Sequence, residues 1–150
     1  MKLTTKSRYG TRLVLDMAQR YGKKAIQLSE IAKRQNISVK YLEQIIRPLK
    51  KANYIKSFRG AKGGHMLNKP PEEITVGEIV ALLEDSPSLT PCVDDPAVCD
   101  RVDTCPTRLI WQEANNAMYE KLRQVKFSDL AAIEDDECRE KFIQFLAAKK

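Results

Sequence analysis

The sequence predicts a mainly α-helical chain with one small β-hairpin, and three observations support this fold class. Apolar residues recur at helical spacing over most of the chain, most clearly in residues 39–49. Residues 54–67 differ, because two segments with β-forming residues flank a glycine-rich turn. No run approaches the roughly 20 apolar residues that a transmembrane helix needs. The chain is therefore expected to fold as a globular protein built on helices.

Composition and charge narrow the class of partner. The 150 residues are 43% hydrophobic and 31% charged, which suits one globular domain with a short appendage. The net charge of +6 is unevenly divided: residues 1–69 hold 17 basic and 3 acidic residues, a net of +14, whereas residues 70–150 carry −8. A compact basic unit is typical of proteins that bind phosphates. Without a lipidation signal or a basic amphipathic N-terminal helix, nucleic acid is the expected partner and a membrane is not.

Three helices are predicted in the first part of the chain. They cover residues 7–21, residues 29–35 and the stretch that starts at Val39. Ser7, Ser29 and Ser38 are the predicted start residues or N-caps. Gly22 ends the first helix, and Asn36-Ile37 forms a turn before the third.

The third helix has an apolar face and a polar, cationic face. At about 100° per residue, one face holds Val39, Leu42, Ile45, Ile46 and Leu49. The opposite face holds Lys40, Gln44, Arg47 and Lys51. Pro48 lacks an amide donor and crowds the carbonyl of Gln44, so we expect a kink or a tightened end near Arg47.

The remaining elements follow from local signals. Strands are predicted at 54–58 and 65–67, and Thr75 and Glu78 form a capping box that opens a fourth helix. A further helix begins at Thr107 with a coiled-coil-like seam of Trp111, Ala114, Met118, Leu122 and Val125. The predicted division is a winged helix-turn-helix domain at 1–85, a cysteine-bearing sensor loop at 86–105, a long dimerisation helix at 106–127 and a helical tail at 128–150.

Three helices followed by a hairpin with a basic, glycine-rich tip is the element order of a winged helix-turn-helix. In that fold the helix after the turn enters the major groove of DNA, and the hairpin tip reaches the adjacent backbone or minor groove. Lys40, Arg47 and Lys51 can neutralise phosphates, Tyr41, Glu43 and Gln44 can reach base edges, and Arg59 suits a narrow minor groove. The predicted DNA-binding residues are Lys6, Ser38, Lys40, Tyr41, Glu43, Gln44, Arg47, Lys51, Arg59, Lys62, Gly63 and Gly64.

Three cysteines form a second group, with the spacing Cys92-x₆-Cys99-x₅-Cys105. A cytoplasmic chain keeps thiols reduced, so a disulfide framework is not expected. The spacing is wider than that of zinc sites. Three thiolates in one loop suit an iron–sulfur cluster, which normally takes four ligands. A thiol redox switch and a loop without a metal are the alternatives that the spacing leaves open.

Together these segments resemble a known bacterial family. The matching stretches are Leu3 to Tyr9, Ser38 to Gln44, Arg59-Gly60 with the following Gly63-Gly64, Thr75 to Ile79, and the three cysteines with Trp111. They resemble the winged helix-turn-helix transcription regulators typified by IscR, NsrR and CymR. The resemblance covers roughly residues 1–127.

The resemblance implies a homodimer joined by the long helix and bound to a palindromic promoter site in double-stranded DNA. It implies major-groove contacts from Ser38, Tyr41, Glu43 and Gln44, a minor-groove contact from Arg59, and a [2Fe–2S] or [4Fe–4S] cluster on the cysteines of cluster-binding members. Here the first cysteine interval is one residue longer than in the cluster-binding pattern. IscR-type members have a histidine ligand at the position where this chain has Pro106-Thr107-Arg108. NsrR-type members use a carboxylate from the partner chain as a ligand, and Arg8 does not offer one. A fourth ligand could come from Asp100, Asp103, Cys138 or a small molecule.

The sequence thus predicts a cytoplasmic, homodimeric DNA-binding regulator that senses redox, nitric oxide or iron–sulfur status. The alternative is a cluster-free regulator that acts by thiol oxidation or by binding a partner enzyme, and a protein-interaction adaptor is the rival from another class. His65 is expected to be an ordinary strand residue, Trp111 an interface residue and Cys138 an inert thiol. No catalytic triad, phosphate-binding loop or dinucleotide fingerprint is present, so no catalytic residue is predicted and an enzyme is not expected.

Overall fold

The structure is a computed structural model that describes residues 3–148, so residues 1–2 and 149–150 of the first and last predicted segments lie outside it. The described part is mainly helical, with one two-stranded antiparallel hairpin. The helices are α1 (Thr5–Ala18), α2 (Leu28–Gln35), α3 (Val39–Lys51), α4 (Val76–Leu83), α5 (Pro91–Asp94), α6 (Pro106–Arg123), α7 (Phe127–Ala131) and α8 (Asp136–Ala148), and the strands are β1 (Ile55–Phe58) and β2 (Gly64–Leu67). The predicted fold class, a mainly helical chain with a hairpin wing, is confirmed.

Helix α1 begins and ends earlier than predicted. Thr4, not Ser7, is the N-cap, because its hydroxyl accepts a hydrogen bond of 3.2 Å from the backbone N–H of Ser7. At the other end, the N–H groups of Arg20 and Tyr21 bond to carbonyls three residues back. The chain therefore tightens out of the α-helix after Ala18, before it reaches the predicted end at Tyr21.

The turn between α2 and α3 agrees with the prediction, although the start of α2 does not. Gln27 has extended backbone and caps α2 without a side-chain bond, so the predicted cap Ser29 lies inside the helix. Asn36 adopts the left-handed conformation (φ 53°) that ends α2. Ser38 then caps α3, and its hydroxyl accepts from the N–H of Tyr41 at 3.2 Å.

Helix α3 runs through Pro48 to Lys51, past the tightened end expected near Arg47. Its apolar face, Leu42, Ile45, Ile46 and Leu49, is buried as predicted. Val39 is the exception, since 39% of its surface stays exposed at the first turn, which projects beyond the core.

The hairpin is joined to the helices by backbone bonds. Ile55 pairs with Leu67, and Phe58 pairs with Gly64. On the outer side of β2, Ile26 and His65 exchange two backbone hydrogen bonds of 2.9 and 2.8 Å. The connection between α1 and α2 therefore fixes the wing against the helical core.

Helix α4 lies at the centre of the core. The predicted capping box is present, since the N–H of Thr75 donates to Glu78 at 2.8 Å and the N–H of Glu78 donates to Thr75 at 3.3 Å. Two close approaches fix its neighbours. A Cβ on Gly10 would lie 2.0 Å from a methyl group of Leu83, and a Cβ on Gly77 would lie 2.8 Å from the backbone nitrogen of Arg123. Helix α1 thus packs closely on the end of α4, and α6 ends against its start.

Only the second half of α6 packs on this core. Tyr119 is buried, and Met118 and Leu122 are half-buried. In the first half, Leu109, Ile110 and Trp111 are 62%, 60% and 42% exposed. The predicted seam is therefore not buried along its whole length within one chain. Its first two members, Trp111 and Ala114, are exposed.

A buried carboxylate that no local sequence pattern reveals joins α1 to α2. Asp16 is 1% exposed and accepts two hydrogen bonds from Arg34, at 2.7 and 3.0 Å. Gln35 donates to it at 3.0 Å, and Arg20 donates at 3.3 Å. Burial by itself raises the pKa of Asp16, but the bonds from Arg34 and Gln35 and the two guanidinium charges outweigh it and lower that pKa.

Replacing Asp16→Asn is expected to lower the free energy of unfolding by about 2–4 kcal/mol at pH 7, because two arginines lose their buried anion. Urea denaturation measures this. Because the pKa of Asp16 is lowered in the folded state, its stabilisation is complete above the unfolded pKa of about 3.9 and is lost as pH falls through the folded pKa. The difference between the variant and the wild type should therefore shrink in acid.

Glu30→Gln is the matched control for this prediction. Glu30 contacts the same guanidinium at 3.8 Å but is exposed, so its loss should cost less than about 1 kcal/mol. Equal destabilisation by both variants would show that burial of Asp16 contributes nothing.

Candidate nucleic-acid interface

The solvent-facing side of α3 carries the predicted contacts. Lys40, Glu43, Gln44, Arg47 and Lys51 are all exposed. The opposite side of the helix is buried, which fixes the rotation of α3 about its axis. The helix therefore presents three cations, a carboxylate and an amide on one surface, a combination that can bind phosphates and base edges together.

Tyr41 has a neighbour that the sequence analysis missed. Its ring is half-buried and meets the ring of Tyr9 edge to face, with 5.9 Å between the ring centroids. The guanidinium of Arg12 lies 5.5 Å from the Tyr9 ring and donates to the backbone oxygen of Gln35 at 2.7 Å. This packing holds Tyr41 against α1 and adds an exposed cation beside it. The helical spacing of Tyr9 and Arg12 in α1 was the available signal.

The tip of the wing is basic and tightly turned. Arg59 and Lys62 are exposed, and the N–H of Gly63 donates to the oxygen of Gly60 at 2.9 Å. Lys56 lies over the exposed ring of Phe58, with its Nζ 5.8 Å from the ring centroid. The tip thus carries cationic side chains on a compact turn, as the prediction requires.

Gly63 and Gly64 have a second reason to be glycine. A Cβ on Gly63 would lie 2.4 Å from the backbone oxygen of Phe58, and one on Gly64 would lie 2.5 Å from that of Ile26. Gly64 also has a φ of +152°. The protein's own backbone therefore requires these glycines, whatever the predicted approach to DNA contributes.

Lys6 is held by an acidic partner. Its Nζ lies 3.0 Å from Asp85, just beyond α4, and it is half-buried. The neighbouring residue, Glu84, accepts hydrogen bonds from the backbone N–H and the hydroxyl of Thr4. The start of α1 is therefore tied to the segment that leads into the cysteine loop.

The cysteine loop is more ordered than its lack of periodicity suggested. It contains α5 and a 3₁₀ turn at Pro96–Val98, and Ser86 and Ser88 both donate to Asp94. Arg108 in α6 donates to the backbone oxygen of Cys92 at 2.9 Å. These bonds fold the loop back onto the start of α6.

The three predicted ligands do not converge. Cys92 lies in α5, Cys99 is exposed after the 3₁₀ turn, and Cys105 precedes α6. Within residues 3–148, no group of three histidine, cysteine or acidic side chains is close enough to hold a metal ion. The donor chemistry suits iron and sulfide, but this loop conformation does not fit a cluster.

Cys105 has a distinct environment. The hydroxyl of Thr107, 3.1 Å away, the backbone N–H groups of Arg108 and Thr107, and the charge of Arg101 lower the pKa of this half-buried thiol. A thiolate is the reactive form of cysteine, and it is favoured at a helix N-terminus. Cys105 therefore has a reason to react that the spacing of the cysteines did not reveal.

His65 and Cys138 both make local contacts. His65 lies on β2, with its Nδ1 2.8 Å from the hydroxyl of Ser57, and burial together with the charge of Lys50 lowers its pKa. Cys138 is half-buried in α8, and its N–H donates to Asp135.

The hairpin wing, the exposed basic face of α3 and the capped turn before it define a DNA-binding transcription regulator of the winged-helix class. The sequence profile of the Rrf2 family, described as "Iron-dependent Transcriptional regulator", matches residues 3–133. The chain belongs to the Rrf2 family. The family consists of transcription regulators and the chain is not an enzyme, in agreement with the sequence analysis.

Relatives and solved structures agree with this assignment. Protein rrf2 of Nitratidesulfovibrio vulgaris is 48% identical over 130 residues, which cover 87% of each chain. The regulator CymR of Bacillus subtilis is 35% identical over 137 residues, 91% of this chain and 94% of that one. The solved structure of B. subtilis CymR superposes with a TM-score of 0.74, covering 90% of this chain and 99% of that one. The solved structure of IscR from T. potens also superposes with a TM-score of 0.74. It is 34% identical in sequence, and the match covers 91% of this chain and 90% of that one.

None of the helices within residues 3–148 has the length and apolar character needed to cross a bilayer.

Proposed function

We propose that this protein is a homodimeric, sequence-specific regulator that binds a palindromic promoter site and senses redox, nitric oxide or iron–sulfur status through its cysteine loop. The observation that carries the proposal is the exposed polar face of α3, held in one rotation by four buried aliphatic residues. In this function Lys40, Arg47 and Lys51 bind phosphates, while Glu43 and Gln44 reach base edges. Arg59 and Lys62 bring the wing to the adjacent backbone or minor groove.

The proposed dimer uses the first half of α6. Leu109, Ile110 and Trp111 are exposed, and Leu109 and Ile110 line a mostly apolar groove on α6 with Ala114 and Ala117. Exposed apolar surface of this kind is often an interaction site. A second copy is the natural occupant, because an antiparallel or parallel pair of α6 helices would bury both surfaces by two-fold symmetry. Two-fold symmetry also matches a palindromic operator.

The sensor is the segment 86–105 with Cys92, Cys99 and Cys105. Three thiols within one loop are soft ligands of the kind that an iron–sulfur cluster takes, and they would supply three of its usual four ligands. A bound cluster would supply redox and nitric oxide chemistry. Because the loop does not gather the three thiols, we expect cluster binding to require a change in the fold of this segment.

A thiol switch is the second candidate, and Cys105 favours it. Its lowered pKa and its position at the N-terminus of α6 suit reversible oxidation without a metal. Both candidates keep the DNA-binding half of the chain unchanged, and both belong in the reducing cytoplasm. If neither a cluster nor oxidation alters DNA binding, the function to test next is the binding of a partner enzyme to the loop.

Anaerobic purification with iron and sulfide analysis separates the candidates. We expect a coloured protein whose iron is lost in the Cys92→Ala, Cys99→Ala, Cys105→Ala triple variant, because these are the only thiols that the loop supplies. Cys138→Ala is the matched control and should keep its iron. A colourless wild type whose DNA affinity changes with peroxide, and no longer does so in Cys105→Ala, would instead support the thiol switch.

A further inference from the structure

The first turn of α3 receives little support from the aliphatic core. Val39 is 39% exposed, and the fully buried residues of the helix begin at Leu42. Tyr41 is half-buried, and its ring packs edge to face on that of Tyr9 in α1, with 5.9 Å between the ring centroids. The ring of Tyr9 therefore gives lateral support to the turn that the proposed function brings to the base edges.

Arg12 connects the ring of Tyr9 to the end of α2. Its guanidinium lies over that ring, 5.5 Å from the centroid. The same group donates to both oxygens of Gln35, the last residue of α2: Nε donates to the side-chain Oε1 at 3.0 Å, and Nη2 donates to the backbone oxygen at 2.7 Å. Two bonds from one planar fork fix the plane of the guanidinium, so the cation over Tyr9 is held in one orientation.

A buried carboxylate holds Gln35 in place. The Nε2 atom of Gln35 donates to Asp16 at 3.0 Å, and Asp16 is 1% exposed. The amide of Gln35 therefore turns its oxygen to Arg12 and its nitrogen to Asp16. Tyr9, Arg12 and Asp16 follow one another at helical spacing, so they share one face of α1. This face links the buried carboxylate, through Gln35, to the ring that supports Tyr41.

We propose that Arg12 is a positioning residue for sequence discrimination: it holds the ring of Tyr9, and thereby Tyr41 and the first turn of α3, in the orientation that reads base edges. The inference rests on the proposed function, in which α3 lies in the major groove. Hydrogen bonds to base edges are directional, whereas the attraction between flexible cationic side chains and phosphates depends mainly on charge. A displaced first turn therefore weakens binding to the recognised sequence more than binding to other DNA.

Arg12→Ala tests this role with two duplexes. One duplex is selected by the wild type from a random-sequence pool, and the other is a scrambled duplex of the same composition. We expect Arg12→Ala to weaken binding to the selected duplex about five- to tenfold and binding to the scrambled duplex less than about twofold. The slope of log affinity against log salt concentration should stay unchanged, because a residue that binds no phosphate releases no counterion. Fluorescence anisotropy measures all three quantities.

Two further variants separate position from charge. Arg12→Lys keeps the charge but lacks the planar fork, so it should lose most of the same discrimination between the two duplexes. Arg139→Ala removes an exposed arginine from α8 and is the matched control, which should bind both duplexes as the wild type does. Thermal unfolding checks the fold of each variant.

The link through Tyr9 has its own test. Tyr9→Leu removes the ring, so it should also weaken binding to the selected duplex, about as much as Arg12→Ala does. Because both residues act through one contact with Tyr41, the double variant should bind no more weakly than the weaker single variant. Without DNA, the NMR signals of the Tyr41 ring should shift in Arg12→Ala, whereas those of Tyr54, whose ring contacts Lys69, should not.

Several results would overturn the inference. One is full discrimination between the duplexes by Arg12→Ala, and another is additive losses from Arg12→Ala and Tyr9→Leu. A third is an equal loss for both duplexes with a salt slope that falls by about one for each protomer, since an arginine that binds a phosphate directly has that effect. A wild type that does not distinguish the duplexes would contradict the proposed function, whereas unshifted Tyr41 signals in Arg12→Ala would contradict this inference alone.

Discussion

Replacing Lys40, Arg47 and Lys51 together by alanine is expected to lower the affinity for operator DNA on the order of 100-fold at low salt. All three cations are exposed on the same side of α3, so each can neutralise a phosphate and release a counterion. The slope of log affinity against log salt concentration should therefore fall by about three for each protomer. Fluorescence anisotropy over a series of salt concentrations measures both quantities.

The matched control removes positive charge elsewhere. Arg139 and Lys141 are exposed on α8, and the double variant Arg139→Ala, Lys141→Ala should leave both the affinity and the salt slope unchanged. Equal losses in the two variants would mean that overall charge governs binding and that α3 has no special role. The rival function, a protein-interaction adaptor, would be favoured if the chain bound an acidic protein and showed no salt-sensitive binding to duplex DNA.

The second large effect is expected at α6. The double variant Leu109→Asp, Ile110→Asp should convert the proposed dimer into a monomer at micromolar concentration, since it places charge where the partner helix would lie. Its affinity for a palindromic site should fall at least about 100-fold, because the two half-sites would no longer be bound together. Sedimentation and anisotropy measure the two effects.

Ile143→Asp is the control for the dimer variant, because Ile143 is 55% exposed on α8 and thus resembles Ile110 in exposure. This variant should stay dimeric if α6 is the interface. A dimer that survives the α6 change and dissociates with Ile143→Asp would move the interface to α8 and contradict the proposal.

Much of the fold could be predicted because its signals are local. Ser38 and Thr75 cap their helices through bonds that span three residues, and a left-handed Asn36 ends α2. The alternation of buried and exposed residues in α3 is set by helical periodicity. Pro48 did not end α3, because the residues around it gain more from packing into the core than one lost hydrogen bond costs.

The features that were missed depend on residues far apart in the sequence. Asp16 is an ordinary acidic residue in a helix until Arg34 and Gln35 fold against it. The need for glycine at position 64 arises from the backbone of Ile26. Similarly, the conformation of the cysteine loop depends on bonds to Asp94 and from Arg108, which spacing alone does not predict.

The close contact at Gly77 has a mechanical consequence. The backbone at the end of α6 lies directly against the start of α4, so that end of the helix has no room to slide. The 18 residues of α6 extend roughly 27 Å from this anchored point to the cysteine loop. A tilt of roughly 6° about the anchor moves the far end by about 3 Å. In the proposed dimer, α6 would act as a lever whose pivot is fixed on the DNA-binding domain, so that a small change beside Cys105 alters the distance between the two α3 helices.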